Sequence, residues 1–149
     1  METIGGLAVR RLSALDDGVR ALLRAKNFCT VATHGPDGSI RVRVAWVDTA
    51  GLHVVLNSVA GRAWVRDIER NPLVNCSVVN LENPYEFASI EGAVVEHTRS
   101  GADDHIDFLA RKYLDVDVYP FHDPAEPRVV LRILPERILH MAPVAEELD

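Results

Sequence analysis

The sequence has no long apolar run and very few cysteines. No stretch of its 149 residues approaches the roughly 20 apolar residues that a membrane-spanning helix needs, and residues 1–11 lack the apolar core of a secretion signal. The two cysteines, Cys29 and Cys76, lie far apart in apolar stretches without metal-site spacing. We therefore expect a soluble cytoplasmic protein whose two thiols are reduced and lie in the core.

An excess of basic residues and the common catalytic motifs are absent too. The chain has 16 Lys and Arg against 22 Asp and Glu, a formal charge of −6, which argues against a nucleic-acid partner. The 6 histidines are scattered, and no pair has the i, i+4 spacing of a helical metal site. No Gly-x-Ser-x-Gly or other nucleophile motif occurs. The sequence thus predicts no metal ion and no side chain for covalent catalysis.

The residues that are present indicate one mainly β domain over residues 1–149. Hydrophobic residues make up 48% and charged residues 26%, which is typical of a globular protein. Apolar, β-branched runs predict six strands, and helical periodicity predicts two helices in addition to a short one discussed below. The strands are expected at 28–34, 39–48, 52–58, 74–81, 85–97 and 128–139, and the helices at 13–26 and 103–114. Because no helices separate the first three strands, we expect an antiparallel β-barrel with flanking helices.

Several local features refine this outline. Ser13 and Asp16 have the spacing of a capping box at the start of the first helix. Gly92, inside a long strand pattern, predicts a bulge or a bend. Residues 1–12 form an N-terminal arm without an assigned structure, and residues 141–149 are expected to be a loosely held tail.

The segment Asn57–Asn71 predicts a strand end, a tight turn and one short helix that stops before Pro72. Arg62 falls in the first helical turn, where the helix dipole already places partial positive charge, so an anion is expected nearby. Asn57 and Ser58 add polar groups, Gly61 permits close approach, and the first-turn N–H groups point outward, which together predict a phosphate seat. The same spacing is compatible with an N-cap at Ser58 and a solvated Arg62.

The strand pattern from Arg41 to Val47 has two unlike faces. Alternation places the arginines Arg41 and Arg43 on one face with Ala45 and Val47, and an apolar set on the other: Val42, Val44 and Trp46. The cationic face is either part of an anion site or the solvent face of a half-buried strand. Trp46 is either a core residue or a platform for a cofactor.

Three sequence blocks carry a family resemblance: T-V-A-T-H-G-P-D-G-S, R-V-R-V-A-W-V-D and L-N-S-V-A-G-R-A-W-V-R-D-I-E-R-N-P. In this order they resemble the pyridoxamine 5′-phosphate oxidase-like FMN-binding split-barrel superfamily. The later blocks H-I-D-F-L-A-R-K-Y-L-D-V-D-V-Y-P-F and E-P-R-V-V-L-R-I-L-P-E-R-I are similar to its actinobacterial F420-dependent flavin/deazaflavin oxidoreductases, of the FDOR-B type. The resemblance runs from Leu15 to Ile138. It implies a six-stranded antiparallel split β-barrel, a homodimer, and a cofactor groove between the two subunits.

The resemblance also implies roles for individual residues. The cofactor ring would rest on the backbone of Arg43, Val44, Ala45 and Trp46, and the phosphate would be held by Asn57, Ser58 and Arg62. The partner subunit's Pro84 and the partner subunit's Tyr85 would close the groove.

The chain departs from the family pattern where a phosphate-binding lysine is common, since it has Ala63 and then Trp64. The missing charged hydrogen bond is worth about 1.5–3 kcal/mol. The seat is therefore weaker, is completed by Arg41 or Arg43, or is lost.

The function implied by the resemblance is an oxidoreductase. A hydride would pass between F420, or alternatively FMN, and a small conjugated substrate, with the cofactor supplying the chemistry. The alternative is a non-catalytic protein on the same barrel that binds or sequesters a cofactor, haem or tetrapyrrole. A purely structural dimer with an empty groove is the third interpretation.

Overall fold

A computed structural model describes residues 1–144 of the protein. The helices of this part are α1 (Asp17–Arg24), α2 (Ala63–Arg70) and α3 (Ala102–Leu114). The strands are β1 (Thr3–Ile4), β2 (Leu7–Leu12), β3 (Phe28–His34), β4 (Ile40–Ala50), β5 (His53–Val59), β6 (Leu73–Val79), β7 (Phe87–Thr98) and β8 (Arg128–Pro143). The six predicted strands are confirmed as β3 to β8. None of the helices described is long and apolar enough to cross a membrane.

Strands β3 to β8 close into an antiparallel barrel. Their order is β8–β5–β4–β3–β6–β7, and β7 pairs again with β8. The longest strand, β8, has β7 along one edge, and its other edge is shared by β5 and then by β2. The predicted six-stranded antiparallel barrel is therefore confirmed.

The barrel is split between β4 and β5. Strand β4 pairs with β3 from Ile40 to Trp46, but it pairs with β5 only from Val47 to Ala50. Within the part of the chain described, the β5-facing edge of β4 has no strand partner before Val47. Its backbone N–H and C=O groups on that edge are therefore available to a ligand.

The N-terminal arm and the start of the tail are regular structure. β1 and β2 form a hairpin, and β2 extends the sheet by pairing with β8 from Ile138 to Pro143. The expectation of a loose tail is wrong for residues 141–143, because β2 and β7 flank the end of β8. The rest of that prediction, from residue 145 onward, lies outside the described residues.

The barrel interior is filled by aliphatic side chains. Val31, Val47, Leu56, Leu131 and Ile133 are fully buried. They belong to one cluster with the apolar faces of α1 and α2, which pack onto the barrel. Both thiols are free and buried in the same cluster, as predicted: Cys29 and Cys76.

Helix α1 begins four residues later than predicted. Asp16 is its N-cap, and the Asp16 carboxylate accepts a hydrogen bond from the backbone N–H of Val19 at 3.0 Å. The capping-box interpretation of Ser13 is wrong. A carboxylate at Asp16 satisfies a free N–H group by itself, so the helix starts at Asp17.

Gly92 marks the predicted bulge. The pairing of β7 with β8 shifts register between Glu91 and Gly92. A Cβ atom on Gly92 would lie 2.4 Å from the carbonyl oxygen of Leu134. Only glycine allows the two backbones to approach this closely.

Candidate functional site

Helix α2 begins directly after β5 with an uncapped, positively polarised end. Gly61 makes the turn with a φ of 90°, a conformation that favours glycine. Arg62 occupies the N-cap position but provides no side-chain capping bond, and the first turn contains no acidic residue. A cation at this end of a helix is unfavourable without an anion nearby, so the local structure favours a negatively charged ligand.

A hollow of about 200 Å³ lies in front of this helix end. It sits beside the split between β4 and β5, and α3 and the segment before β8 form its other walls. It brings together seven of the residues singled out from the sequence: Val44, Ala45, Trp46, Asn57, Ser58, Arg62 and Trp64. Three further residues complete its lining: Ile106, Tyr119 and Arg128.

Arg128 is the second cation of the hollow, and it was not among the residues predicted from the sequence. It is the first residue of β8, and its Nε–H donates to Asn57 Oδ1 at 2.7 Å. Its guanidinium lies over the Tyr119 ring, 5.1 Å from the centroid. Burial lowers the pKa of Arg128, and the positive charge of Arg62 lowers it further.

Arg62 and Arg128 therefore concentrate uncompensated positive charge at one place. Neither forms an ion pair with a carboxylate among residues 1–144. Two guanidinium groups that repel each other across an uncapped helix end are stabilised by an anion between them. Arg128 thus supplies a cation that the sequence Ala63–Trp64 lacks.

Asn57 and Ser58 play different parts in the hollow. The Asn57 side chain is buried and occupied, because it bonds to Arg128 through Oδ1 and to the carbonyl oxygen of Ala102 through Nδ2. The Ser58 hydroxyl makes no side-chain hydrogen bond within residues 1–144, although Ser58 is also buried. Ser58 is therefore the hydroxyl that is free to meet a ligand.

The arginines of β4 lie elsewhere. Arg41 Nε donates to Asp67 Oδ2 at 2.7 Å, and the same fully buried carboxylate is bonded by Thr33 and Arg70. Burial alone would raise the pKa of Asp67, but the hydrogen bonds from Arg41 and Thr33 hold it below its usual value. Arg43 is exposed and donates to the carbonyl oxygen of Val42. Neither arginine lines the hollow, so neither replaces the missing lysine.

The remaining predicted residues lie at the margins. Gly61 shapes the turn, and Ala63 is the exposed first residue of α2. Trp64 has 6% of its surface exposed and packs in the core cluster while its edge lines the hollow. Tyr85 is 70% exposed in the connection between β6 and β7 and lies outside this hollow.

Trp46 belongs to a rigid aromatic wall. It stacks on Tyr113 with ring centroids 5.0 Å apart and meets Tyr119 edge-on at 6.0 Å. The Tyr113 hydroxyl donates to the carbonyl oxygen of Asn27 and accepts from the Val47 N–H at 3.1 Å, which fixes the stack. Trp46 is therefore held at the rim of the hollow, partly buried against α3, and not inside the barrel.

Asp107 of α3 anchors the segment that carries Tyr119. Its carboxylate accepts from the Tyr119 N–H at 2.8 Å and contacts His122 Nε2 at the same distance. The hydrogen bond with His122 is the main reason that the pKa of Asp107 is lowered. One side chain, Asp107, thus fixes both the aromatic wall and the Tyr119 ring that lies beneath the Arg128 guanidinium.

The ionisable side chains of the hollow are its two arginines and the phenol of Tyr119. Its lining contains no carboxylate, imidazole, thiol or amine. No group of three or more potential metal-ligating side chains occurs in residues 1–144. The arrangement can therefore hold and orient an anionic molecule.

The fold and this site define a class of protein, a split antiparallel barrel with a cationic hollow at the split. The chain belongs to the pyridoxamine 5′-phosphate oxidase family, whose sequence profile matches residues 15–142. No sequence among the curated proteins compared with the chain matches it.

Solved structures share the architecture. An F420 reductase is 25% identical with a TM-score of 0.72, and the match covers 83% of this chain and 98% of that one. An FAD-binding protein from Mesorhizobium loti is 20% identical with a TM-score of 0.61, covering 90% of this chain and 98% of that one. A conserved hypothetical protein from Mycobacterium tuberculosis is 17% identical with a TM-score of 0.66, covering 93% and 88%.

Proposed function

We propose that the protein binds a phosphate-bearing deazaflavin or flavin in this hollow and acts as an oxidoreductase on a small conjugated substrate. The observation that carries the proposal is the convergence of Arg62 and Arg128 on the uncapped end of α2, beside the unpaired edge of β4. A phosphate matches the two guanidinium groups and the helix end, and a flat ring matches the open strand backbone.

The residues divide into phosphate and ring contacts. Arg62, Arg128, Ser58 and the first N–H groups of α2 would hold the phosphate. The backbone of Val44–Trp46 would support the ring, with Trp46 at its margin. The bound cofactor supplies hydride transfer, and the chain supplies binding, orientation and a fixed positive field. This division accounts for a lining without a carboxylate, imidazole, thiol or amine.

We propose F420 as the cofactor and FMN as the alternative. The F420 reductase that resembles this chain at 25% identity supports the deazaflavin. The name of the FAD-binding relative supports a flavin more generally. The lining of the hollow matches the ring of either cofactor, so titration with both decides between F420 and FMN.

The active form in this proposal is a homodimer. The hollow of about 200 Å³ is smaller than the roughly 300–1,000 Å³ of common cofactor pockets, so one chain provides only part of a groove. Beside it, the apolar residues of β4 face outward, with Ile40 and Val44 each 70% exposed and Val42 50% exposed. A second copy placed on this strip would cover it and add the missing wall.

The proposal is tested by titrating the purified protein with FMN and with oxidised and reduced F420. Riboflavin and the phosphate-free deazaflavin serve as matched controls. We expect a dissociation constant in the micromolar range or below for one phosphate-bearing cofactor, and weaker binding of its phosphate-free counterpart. If neither phosphate-bearing cofactor binds in that range, the oxidoreductase proposal is wrong.

A second candidate is a non-catalytic protein that stores or shields a cofactor, haem or tetrapyrrole. It is favoured by a lining without any proton donor of carboxyl, imidazole, thiol or amine type. Reduced cofactor bound to the protein distinguishes the candidates. Oxidation of the bound cofactor by quinones or activated enones, faster than that of free cofactor, supports the enzyme. Slower oxidation supports the storage role.

A further inference from the structure

Asn57 is held on three sides under the hollow. Only 8% of its surface is exposed. Its Nδ2 donates to the carbonyl oxygen of Ala102 at 3.0 Å and lies 3.1 Å from Nδ1 of His105. Its Oδ1 accepts from Arg128 Nε at 2.7 Å. Both N–H groups of the amide are therefore used, and none is left to donate to an anionic ligand.

These contacts fix the orientation of the amide. The Ala102 carbonyl can only accept a hydrogen bond, so the NH2 group of Asn57 must point toward α3 and its oxygen toward β8. The bond to Asn57 uses the Nε–H of Arg128 and leaves the two NH2 groups of its fork for a phosphate. The Tyr119 ring supports the guanidinium 5.1 Å away.

His105 strengthens this arrangement while it is neutral. Its Nδ1 accepts from Asn57, which places the ring proton on Nε2, a buried atom without a partner in residues 1–144. Burial lowers the pKa of His105, the positive charges of Arg132 and Arg128 lower it further, and Asp48 opposes them. In this neutral form, Nδ1 of His105 carries no proton and cannot donate to the Asn57 oxygen. That oxygen therefore stays bonded to Arg128.

We propose that Asn57 is a positioning residue, which does not contact the ligand itself but aims the guanidinium of Arg128 at the phosphate. The inference rests on the proposed function, because the phosphate belongs to the cofactor. It changes the role that the resemblance implied for Asn57, from a direct phosphate ligand to a part of the scaffold beneath one.

A double-mutant cycle tests the inference. The variants are Asn57→Leu and Arg128→Met, alone and together, and Arg62→Ala with and without Asn57→Leu. The probes are FMN, F420 and their phosphate-free counterparts. We expect Asn57→Leu to weaken binding of the phosphate-bearing cofactor about tenfold and to leave the phosphate-free compound unaffected. In the Arg128→Met background the same substitution should have no further effect. In the Arg62→Ala background its effect should persist.

A second readout does not need the cofactor. The Nε–H of Arg128 should give a slowly exchanging NMR signal in the wild-type protein, since it is bonded and half-buried, and Asn57→Leu should abolish that protection. Asn57→Ser, a smaller change that removes the amide, repeats both measurements if Asn57→Leu does not fold.

The outcomes separate the inference from the proposed function. If the wild-type protein binds no phosphate-bearing cofactor, the proposed function fails and this inference fails with it. If the wild-type protein binds but the loss at Asn57 is equal in the Arg128→Met background, Asn57 acts independently of Arg128 and only the inference is overturned. An unprotected Arg128 Nε–H in the wild-type protein overturns it as well.

Discussion

Arg128→Met is the sharpest test of the phosphate seat. Methionine keeps much of the side-chain length while removing the charge and the donors of Arg128. A hydrogen bond to a charged group is worth about 1.5–3 kcal/mol. Because Arg62 lies close enough to lower the pKa of Arg128, removing one cation also relieves repulsion. We therefore expect the lower end of that range, or roughly a tenfold weaker binding of FMN or F420.

The assay compares each cofactor with its phosphate-free counterpart by fluorescence titration. The loss should appear for the phosphate-bearing compound and not for the other. Arg137→Met is the matched control, since Arg137 lies on the same strand but is exposed and pairs with Glu91 at 3.0 Å, away from the hollow. Equal losses for both compounds, or no loss for either, would refute the assignment of Arg128 to the phosphate.

Three further predictions concern the frame of the site. Asp67→Asn should lower the free energy of unfolding, measured with urea, by about 2 kcal/mol, because it weakens buried hydrogen bonds with Arg41 and Arg70. The control Asp17→Asn, on the surface, should change the free energy of unfolding by less than about 0.5 kcal/mol. The pKa of Asp67 is lowered in the folded state, so its stabilisation is complete above its unfolded pKa of about 3.9 and is lost as the pH falls through the lower folded value. The difference between wild type and Asp67→Asn should therefore shrink in acid, and a constant difference down to about pH 2 would contradict the ion pair. Val42→Asp should produce monomers in sedimentation experiments at micromolar concentration, because it places a charge in the apolar strip of β4. Val95→Asp, at a similarly exposed site on β7, should not. A wild-type protein that is itself a monomer at this concentration would contradict the shared groove.

The strands were predictable because their signals are local. β3 has the predicted boundaries, since its apolar run lies between Asn27 and a Gly-Pro-Asp-Gly turn. The bulge at Gly92 was also predictable, because a glycine inside a strand pattern often marks a bulge or a close approach of two backbones. By contrast, the hairpin of residues 3–12 is short and depends on the edge of β8 for its pairing, which no local pattern reveals.

The faces of β4 show the limit of alternation. The period of two separated Arg41 and Arg43 from Val42 and Val44, but it does not state which set faces the barrel. Val47 and Ala45 lie on the inner side, so the valines face solvent and Arg41 reaches Asp67 at one end of the barrel. This apolar outer face is the strip that the second copy of the proposed homodimer would cover.

Arg128 was missed because it is remote in sequence from the other residues of the hollow. The pairing of Ser58 with Val129 brings the start of β8 to the end of β5. A weak signal was present, since Val129, Leu131 and Ile133 form the buried face of β8 and leave Arg128 and Arg132 on the opposite one. The residues that lie next to Arg128 could not be predicted without knowing that β8 pairs with β5.

The last strand has a consequence for how the protein matures. β8 joins the two ends of the sheet and begins with Arg128, so the barrel closes and the second guanidinium arrives in the same event. A nascent chain that has emerged only as far as Pro127 has Arg62 but neither a finished sheet nor its second cation. If the protein binds the proposed cofactor, a chain that stops before Arg128 should lack both the closed barrel and the second cation of the phosphate seat.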